Sequence, residues 1–200
     1  MARYFTEPDF HPPIIHSLRV AMLGYGSQGR SHALNLRDSG AQVIVGLRAG
    51  KSVDKAKAEN FEVLPVREAV TAADLIAFAL PDVPMSEIYQ EHVAPALTTN
   101  QVLLFMHGFN IHFGFIQPPA NVDVVMVSPK GAGYGVRSLY EQGNGVPALI
   151  AVKQNASGKA QQIALSYAWA LGSARSVVLE TTFQQETVSD LFGEHASPVQ

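Results

Sequence analysis

The chain has 200 residues, of which 47% are hydrophobic and 16% are charged, with a formal net charge of −3. This composition can fill a hydrophobic core, so it excludes a disordered chain, and the slight acidic excess argues against a nucleic-acid-binding protein. The absence of cysteine excludes disulfides, zinc–thiolate sites and a cysteine nucleophile. The N-terminal residues lack the apolar segment of a signal peptide, and no stretch reads as a membrane span. We therefore expect a cytoplasmic protein.

Short apolar runs alternate with helical patterns along the whole chain. The runs lack a clean alternation of polar and apolar residues, which is typical of strands covered by helices on both faces. This order predicts an α/β fold with a doubly wound, mostly parallel sheet. The predicted strands span residues 18–23, 42–46, 61–64, 74–80, 101–106 and 122–127, with weaker candidates at 149–152 and 176–179. The predicted helices span residues 27–39, 54–59, 67–73, 86–97, 158–171 and 182–195.

The first predicted strand leads directly into a glycine-rich motif, GYGSQG, at residues 24–29. The pattern G-x-G-x-x-G between a strand and a helix is typical of dinucleotide binding, because the backbone can approach a pyrophosphate at the helix N-terminus. The alternative is an ordinary glycine turn between a strand and a helix. The predicted cofactor contacts in this motif are Gly24, Tyr25, Gly26, Ser27, Gln28 and Gly29.

The end of the second predicted strand indicates which dinucleotide is bound. NAD sites place an acidic residue there to bind the ribose hydroxyls, but this chain has Arg48, Lys51 and Ser52 within five residues. Two cations and a hydroxyl suit a 2′-phosphate, so we predict NADPH rather than NADH. A solvated basic loop is the alternative, and Asp54 is the nearby residue that complicates the preference.

Further motifs follow in order along the chain: NLRDSG at 35–40, VGLRAGKS at 45–52, PD at 81–82, HGF at 107–109, SPKG at 128–131, LSYA at 165–168, and ETTF at 180–183 leading to DLFGE at 190–194. In this order and spacing they resemble the N-terminal domain of the ketol-acid reductoisomerase family, over nearly the whole chain. The resemblance implies a Rossmann-type NADP(H)-binding domain.

The resemblance also implies a two-step reaction in branched-chain amino-acid (isoleucine and valine) biosynthesis. A small 2-hydroxy-2-methyl-3-keto acid such as 2-acetolactate undergoes a magnesium-assisted alkyl shift. NADPH then reduces the resulting 2-keto acid, and for 2-acetolactate the product is 2,3-dihydroxy-3-methylbutanoate. Magnesium prefers carboxylate oxygens as ligands and acts as a Lewis acid on a carbonyl, which suits the first step.

By resemblance, Asp190 and Glu194 are magnesium ligands. They are four residues apart, so they share one face of the last predicted helix, and Glu186 lies on that face one turn earlier. Spacing alone equally fits an exposed, solubilising acidic stripe. The match to the family motif is what favours metal binding.

The resemblance assigns His107 and Lys130 to the active site as catalytic residues, each just after a predicted strand. A histidine can transfer protons near neutral pH, and ligands bind at the carboxyl ends of strands in open α/β sheets. Asp82 falls in the family's cofactor-contacting loop, and Gly131 and Gly133 permit close approach to the nicotinamide.

Three positions depart from the family pattern. The family usually has histidine where this chain has Arg30 and glutamine at Met85, and the loop carrying Tyr134 lacks the usual proline and histidine. We expect these changes to alter cofactor affinity without abolishing the site.

The larger departure is that the family has a second, all-helical domain after the DLFGE helix, which supplies further glutamates and a serine. We assign residues 1–181 to the Rossmann domain and 182–200 to the start of a truncated helical domain. We expect exposed apolar surface at Leu191 and Phe192, and a chain that binds NADPH but is inactive alone. A full-length form is expected to be a homo-oligomer.

Two other functions stay open at this point. One is a stand-alone NADPH-binding protein without isomeroreductase activity. The other is a different Rossmann dehydrogenase of the hydroxyacid or imine-reducing type. The second would act without magnesium, so Asp190 and Glu194 would be dispensable for it.

Overall fold

The computed structural model describes residues 3–196, with side chains described as far as Phe192 apart from those at positions 7 and 13. Its framework is one sheet of nine strands. The strands are β1 (Tyr4–Phe5), β2 (Arg19–Leu23), β3 (Gln42–Gly46), β4 (Glu62–Leu64), β5 (Leu75–Phe78), β6 (Val102–Phe105), β7 (Asp123–Pro129), β8 (Ala148–Gln154) and β9 (Val178–Glu180).

The strands lie in the order β1-β9-β8-β7-β6-β5-β2-β3-β4. The six neighbouring strands at one side of the sheet are parallel to one another, namely β7, β6, β5, β2, β3 and β4. Strand β8 runs antiparallel to β7, and β1 closes the far edge antiparallel to β9. The chain moves outward from β2 to β4 and then returns to β5 on the other side of β2. This reversal opens a crevice at the carboxyl ends of β2 and β5, where such sheets bind ligands.

Helices cover both faces of the sheet and produce two hydrophobic clusters. Alternate strand residues divide between them: Val20 and Met22 join one cluster, and Ala21 and Leu23 join the other. No helix in the described part of the chain is long and apolar enough to cross a membrane. The helices are α1 (Pro12–His16), α2 (Ser27–Asp38), α3 (Lys51–Ala58), α4 (Val66–Thr71), α5 (Asp82–Ile88), α6 (Phe109–His112), α7 (Gly133–Glu141), α8 (Ala160–Leu171) and α9 (Phe183–Ala196).

The α/β fold class with a mostly parallel, doubly wound sheet is confirmed, and so is each predicted strand, with shifts of a few residues at the ends. Two predicted helix starts were too late. The structure begins α5 at Asp82 rather than 86, because Pro84 falls in the first turn, where no backbone N–H bond is needed. It begins α3 at Lys51 rather than 54, with Asp54 in the first turn. A π-helical turn, Tyr89–Val93, follows α5.

Four short elements escaped the sequence prediction: β1, α1, α6 and α7. The first three have only two to five residues, too few to show a periodicity. Helix α7 begins with Gly133, Tyr134 and Gly135, which resemble a loop. Helix α9 begins at Phe183, whose buried side chain joins the same hydrophobic cluster as Ala21 and Leu23. The assignment of residues 182–200 to a following domain stays a prediction.

Buried polar contacts tie α2 to its neighbours. The ring nitrogen Nδ1 of His32 lies 3.0 Å from the hydroxyl of Tyr167 on α8, and both side chains are wholly buried. The amide of Asn35 donates to the carbonyl oxygens of Val136 (3.2 Å) and Leu171 (3.1 Å). These bonds hold α2 in place, and the first turn of α2 carries the last residues of the glycine-rich motif.

The burial of His32 predicts a loss of stability in acid. Burial lowers the pKa of His32 to about 3 from the ordinary 6.5. The unfolded chain therefore binds a proton that the folded chain excludes as the pH falls from 6.5 towards 3, and this group costs at most about 1.4 kcal/mol per pH unit. We expect the free energy of unfolding, measured by urea denaturation from pH 7 to 4, to fall less steeply in His32→Gln. The exposed His11→Gln is the matched control, and identical slopes in His32→Gln and wild type would contradict the prediction.

Candidate active site

A cleft of about 1040 Å³ opens at the carboxyl ends of the parallel strands. Loops after β2, β3, β5, β6 and β7 line it, together with one side of α9. Gly133 is not among the residues that line this cleft, and it packs against Ser27, whose hydroxyl oxygen would lie 2.4 Å from a Cβ at that position. The side chain of Glu194 lies outside the described residues. The predicted site residues that line the cleft are Gly24, Tyr25, Gly26, Ser27, Gln28, Gly29, Arg48, Lys51, Ser52, Asp82, His107, Lys130 and Asp190.

Two glycines of the motif are required by packing. Gly24 has φ +97°, and a Cβ there would fall 2.4 Å from the carbonyl oxygen of Ala79. A Cβ on Gly29 would fall 2.5 Å from the carbonyl oxygen of Gly24. By contrast, Gly26 faces open space, and no described side chain caps the first turn of α2. The helix N-terminus therefore presents backbone N–H groups that can bind an anion.

The β3 end of the cleft is positively charged. The side chains of Arg48 and Lys51 are both exposed at its rim, and neither forms an ion pair or hydrogen bond with the side chains and backbone that the structure describes. The carboxylates on the cleft wall, Asp82 and Asp190, belong to the start of α5 and to α9. Asp54 does not line the cleft. This end can therefore attract a phosphate group without a competing acid.

The opposite end of the cleft is built around the carboxylate of Glu186, which is wholly buried. Oε1 accepts hydrogen bonds from the hydroxyl of Ser128 (2.8 Å) and the ammonium of Lys130 (2.8 Å). Oε2 accepts one from the backbone N–H of Gly108 (2.9 Å). Burial alone would raise the pKa of Glu186, but His107, Lys130 and Ser128 outweigh it and lower the pKa to about 2. The carboxylate is therefore ionised throughout the physiological range.

The imidazole of His107 lies between carboxylates. Nδ1 is 3.0 Å from Oε2 of Glu186 and 3.5 Å from Oδ2 of Asp190, while Nε2 is 4.0 Å from Oδ2 of Asp82. The contact with Glu186 is an ion-pair distance rather than an aligned hydrogen bond. Burial would lower the pKa of His107, but Glu186 and then Asp82 and Asp190 outweigh it, so the pKa is raised. His107 thus holds a proton at a higher pH than an ordinary histidine.

Lys130 bridges two carboxylates of α9. Its ammonium donates to Glu186 and also to Oδ1 of Asp190, at 2.9 Å. Burial would lower the pKa of Lys130, but these two partners raise it, so the side chain stays charged. The arrangement places two proton-bearing groups, His107 and Lys130, beside acceptor oxygens on the cleft wall. It can hold a proton, bind an anionic substrate group or present carboxylate oxygen to a cation.

Ligand atoms of His107, Glu186 and Asp190 lie within 4.8 Å of one another, so this end could hold a metal ion. The three are not equivalent. Glu186 is saturated by its donors, whereas the side chain of Asp190 is 34% exposed and lines the cleft. Of these three groups, Asp190 is therefore the carboxylate that fits an oxygen-preferring ion. Glu186 fits a different role, which is to orient Lys130 and His107.

Sequence reasoning noticed Glu186 but gave it no role, and the structure places it at the centre of the cluster. Its complete burial excludes the solubilising acidic stripe for this residue. The available signal was its spacing of four from Asp190. Phe192 is 73% exposed, as expected, but Leu191 is half-buried on the cleft wall.

The three departures have different surroundings. Met85 is buried in the cleft wall, and Tyr134 is 78% exposed on α7. Arg30 forms an ion pair with Glu59 at the end of α3. Of the three, Met85 is the one placed to touch a bound ligand.

Comparison with known proteins shows which family this chain resembles. A family model described as the NADPH-binding domain of acetohydroxy acid isomeroreductase matches residues 14–177. An NADH-preferring ketol-acid reductoisomerase from an uncultured archaeon is 41% identical in sequence and superimposes with a TM-score of 0.95. The match covers 98% of this chain and 61% of that enzyme's chain, so the chain spans less than two thirds of the relative.

More distant structures share the fold alone. A semialdehyde dehydrogenase NAD-binding protein from Cupriavidus necator, solved with calcium and NAD, is 16% identical with a TM-score of 0.73, over 91% of this chain and 76% of its own. The 3-hydroxyisobutyrate dehydrogenase of Mycobacterium tuberculosis is 14% identical with a TM-score of 0.66, over 88% and 58%.

Because α9 packs closely against the loop after β6, we expect that any side chain larger than hydrogen at Gly108 lowers the stability of the fold. A Cβ there would fall 2.5 Å from Oγ1 of Thr187 and 2.6 Å from the carbonyl oxygen of Phe183. We expect Gly108→Ala to lower the free energy of unfolding by about 1–3 kcal/mol, as overpacking does, in urea denaturation. Gly135→Ala on α7 meets nothing within 4 Å and is the control, expected to be neutral or slightly stabilising. Equal effects of the two substitutions would contradict the packing argument.

Proposed function

The chain belongs to the acetohydroxy acid isomeroreductase (ketol-acid reductoisomerase) family, and from this premise we propose that it is the cofactor-binding part of an NADPH- and magnesium-dependent enzyme acting on 2-acetolactate. The observation that supports this most is the single cleft that joins an anion-binding glycine loop to the cluster around Glu186. The product would be 2,3-dihydroxy-3-methylbutanoate. Since the chain matches 61% of the archaeal enzyme's chain, we propose that turnover also needs the helical domain implied by the family resemblance.

The charges along the cleft orient the proposed cofactor. The pyrophosphate would lie at the N-terminus of α2, and the 2′-phosphate would lie between Arg48, Lys51 and Ser52. The nicotinamide would then extend towards His107. The archaeal relative is described as preferring NADH, so preference varies within the family. In this chain the two unpaired cations support NADPH.

The residues present fit magnesium through the oxygen ligands of Asp190, with Glu194 as a second ligand by resemblance. When bound, the ion would supply Lewis-acid polarisation of the substrate carbonyl. Glu186 keeps the ammonium of Lys130 directed at this position, 2.9 Å from Oδ1 of Asp190. A hard, oxygen-preferring cation suits this donor set better than a thiolate- or imidazole-preferring one.

The chain's own residues provide the proton transfers that the reaction needs. The alkyl shift removes a proton from the 2-hydroxyl group as that carbon becomes a ketone, and a proton is returned to the oxygen on C3 as that former ketone becomes a hydroxyl. Hydride transfer to the new ketone then leaves an alkoxide that must receive a proton. His107 and Lys130 are the proton-bearing groups on the cleft wall, and the carboxylates beside them raise the pKa of each, which suits a proton donor in this second step.

The cofactor assignment predicts a selective effect of the rim cations. We expect wild type to bind NADPH more tightly than NADH, and Arg48→Ala/Lys51→Ala to weaken NADPH by at least about tenfold while changing NADH little, because lost charge-assisted bonds affect the 2′-phosphate alone. Titration of nicotinamide fluorescence measures both dissociation constants. Lys57→Ala, an exposed lysine of the same helix outside the cleft, is the control. Equal affinity of the wild type for NADPH and NADH would contradict the assignment of NADPH as the preferred cofactor.

The metal assignment predicts that Asp190 is needed for divalent-cation binding. We expect Asp190→Asn to weaken Mn²⁺ binding by at least about tenfold, as measured by electron paramagnetic resonance. The exposed Glu68→Gln is the control and should leave Mn²⁺ binding unchanged.

In the protein isolated from its source cells, acetolactate-dependent NADPH oxidation should require magnesium and be lost in Asp190→Asn. NADPH binding that is indifferent to Mn²⁺ and acetolactate would instead indicate a stand-alone NADPH-binding protein. Keto-acid or imine reduction without magnesium would indicate another dehydrogenase.

A further inference from the structure

Helix α3 carries Lys51 and Ser52 in its first turn, at the rim of the cleft. Of its eight residues, Ala56 is the buried one. A helix this short has little intrinsic stability, and one alanine buries little apolar surface. Polar contacts at the C-terminal end of α3 are therefore expected to contribute much to holding the helix in position.

Those contacts converge on Glu59, the residue that follows α3. Its carboxylate accepts a hydrogen bond from the hydroxyl of Tyr25 (2.6 Å) and from Nε of Arg30 (2.8 Å), and the second guanidinium nitrogen of Arg30 also donates to it. Its backbone carbonyl accepts a bond from Arg37 (2.6 Å). Tyr25 belongs to the glycine loop and the two arginines to α2, so Glu59 ties the end of α3 to the phosphate-binding motif.

The bonds are placed to resist movement. The side chain of Glu59 is 23% exposed and that of Arg30 is 34% exposed, and Tyr25 is buried and packs edge-on against Phe61. Charge-assisted bonds in such surroundings are the stronger kind. Neither Glu59 nor Arg30 lines the cleft, so neither touches a ligand there.

A displacement at Glu59 would be transmitted along α3. Eight residues of helix are about 12 Å long, so a 10° tilt about one end moves the other by about 2 Å. Such a shift breaks a hydrogen bond or ion pair at Lys51 and Ser52. The pyrophosphate site would move less, because α2 is also held by the bonds of His32 and Asn35 to α7 and α8. The carboxylate of Glu186 is held by Ser128, Lys130 and Gly108, none of them on α3.

We propose that Glu59 is a positioning residue for cofactor selection, which anchors α3 to Tyr25 and Arg30 so that Lys51 and Ser52 meet the 2′-phosphate of NADPH. The inference rests on the proposed function, because it presupposes that this rim binds the 2′-phosphate. It also gives a role to Arg30, one of the three departures from the family pattern.

The test compares the dissociation constants of NADPH and NADH in wild type, Glu59→Ala and Glu59→Gln. We expect Glu59→Ala to reduce the preference for NADPH by about tenfold, mostly through weaker NADPH binding, because small misplacements cost much of a directed interaction. Glu59→Gln keeps an acceptor oxygen for Tyr25 and Arg30 and should retain most of the preference. Glu62→Ala breaks a comparable carboxylate–arginine pair with Arg19 and should leave the ratio unchanged.

Several outcomes would overturn the inference. A merely structural role predicts equal losses for NADPH and NADH in Glu59→Ala, and an unchanged ratio would show that α3 is held in another way. If Glu59→Ala does not fold, Arg30→Met removes the main partner of Glu59 and should lower the same ratio. Wild type without a preference for NADPH would overturn both this inference and the cofactor assignment, whereas a normal preference that persists in the variants overturns the inference alone.

Discussion

The buried carboxylate of Glu186 is tolerated only because Ser128, Lys130, Gly108 and His107 surround it, and the acidic end of the cleft depends on that burial. Removing one partner of a buried ion pair typically costs about 3–5 kcal/mol, since the remaining charge is left uncompensated. Helix α9, the loop after β6 and the end of β7 therefore form one unit. Lys130 and His107 acquire their raised pKa values from the same carboxylate, so the packing of α9 and the proton-holding capacity of the site have one cause.

The cleft is electrically polarised along its length. The β3 rim presents Arg48 and Lys51, and the α9 end presents Asp82 and Asp190. A ligand with phosphate groups at one end and a positively charged or neutral group at the other is favoured in one orientation, since reversing it brings phosphate against carboxylate at a cost set by Coulomb repulsion. The proposed cofactor and magnesium satisfy both ends at once. The oxidised nicotinamide is itself positively charged, so the acidic end also suits the product form of the cofactor.

The fold and the glycine loop could be predicted from sequence because their causes are local. Gly29 is required by its contact with Gly24 five residues earlier, Gly24 itself needs a positive φ, and the strand–helix alternation is a pattern of neighbouring residues. The cluster around Glu186 could not be predicted in the same way. Its four partners come from positions 56 to 79 residues away in the chain, and a helical acidic stripe looks the same whether it faces solvent or a lysine. The start of α5 was missed for a different reason, since Pro84 disrupts a helix interior but not a first turn.

The carboxylates of Glu186 and Glu59 each connect several elements around this cleft. They differ in whether a substitution there would also disturb residues on the cleft wall. The partners of Glu186 include Lys130 and His107, which lie on the cleft wall, so altering Glu186 alters the chemistry directly. The partners of Glu59 are Arg30, which lies off the wall, and Tyr25, which lies on it at the glycine loop. Under the proposed role of Glu59, cofactor selection would shift through a residue that touches neither cofactor nor substrate, while the reaction site stays intact. That separation gives a physical route by which relatives 41% identical and nearly superimposable can differ in the nicotinamide cofactor they prefer.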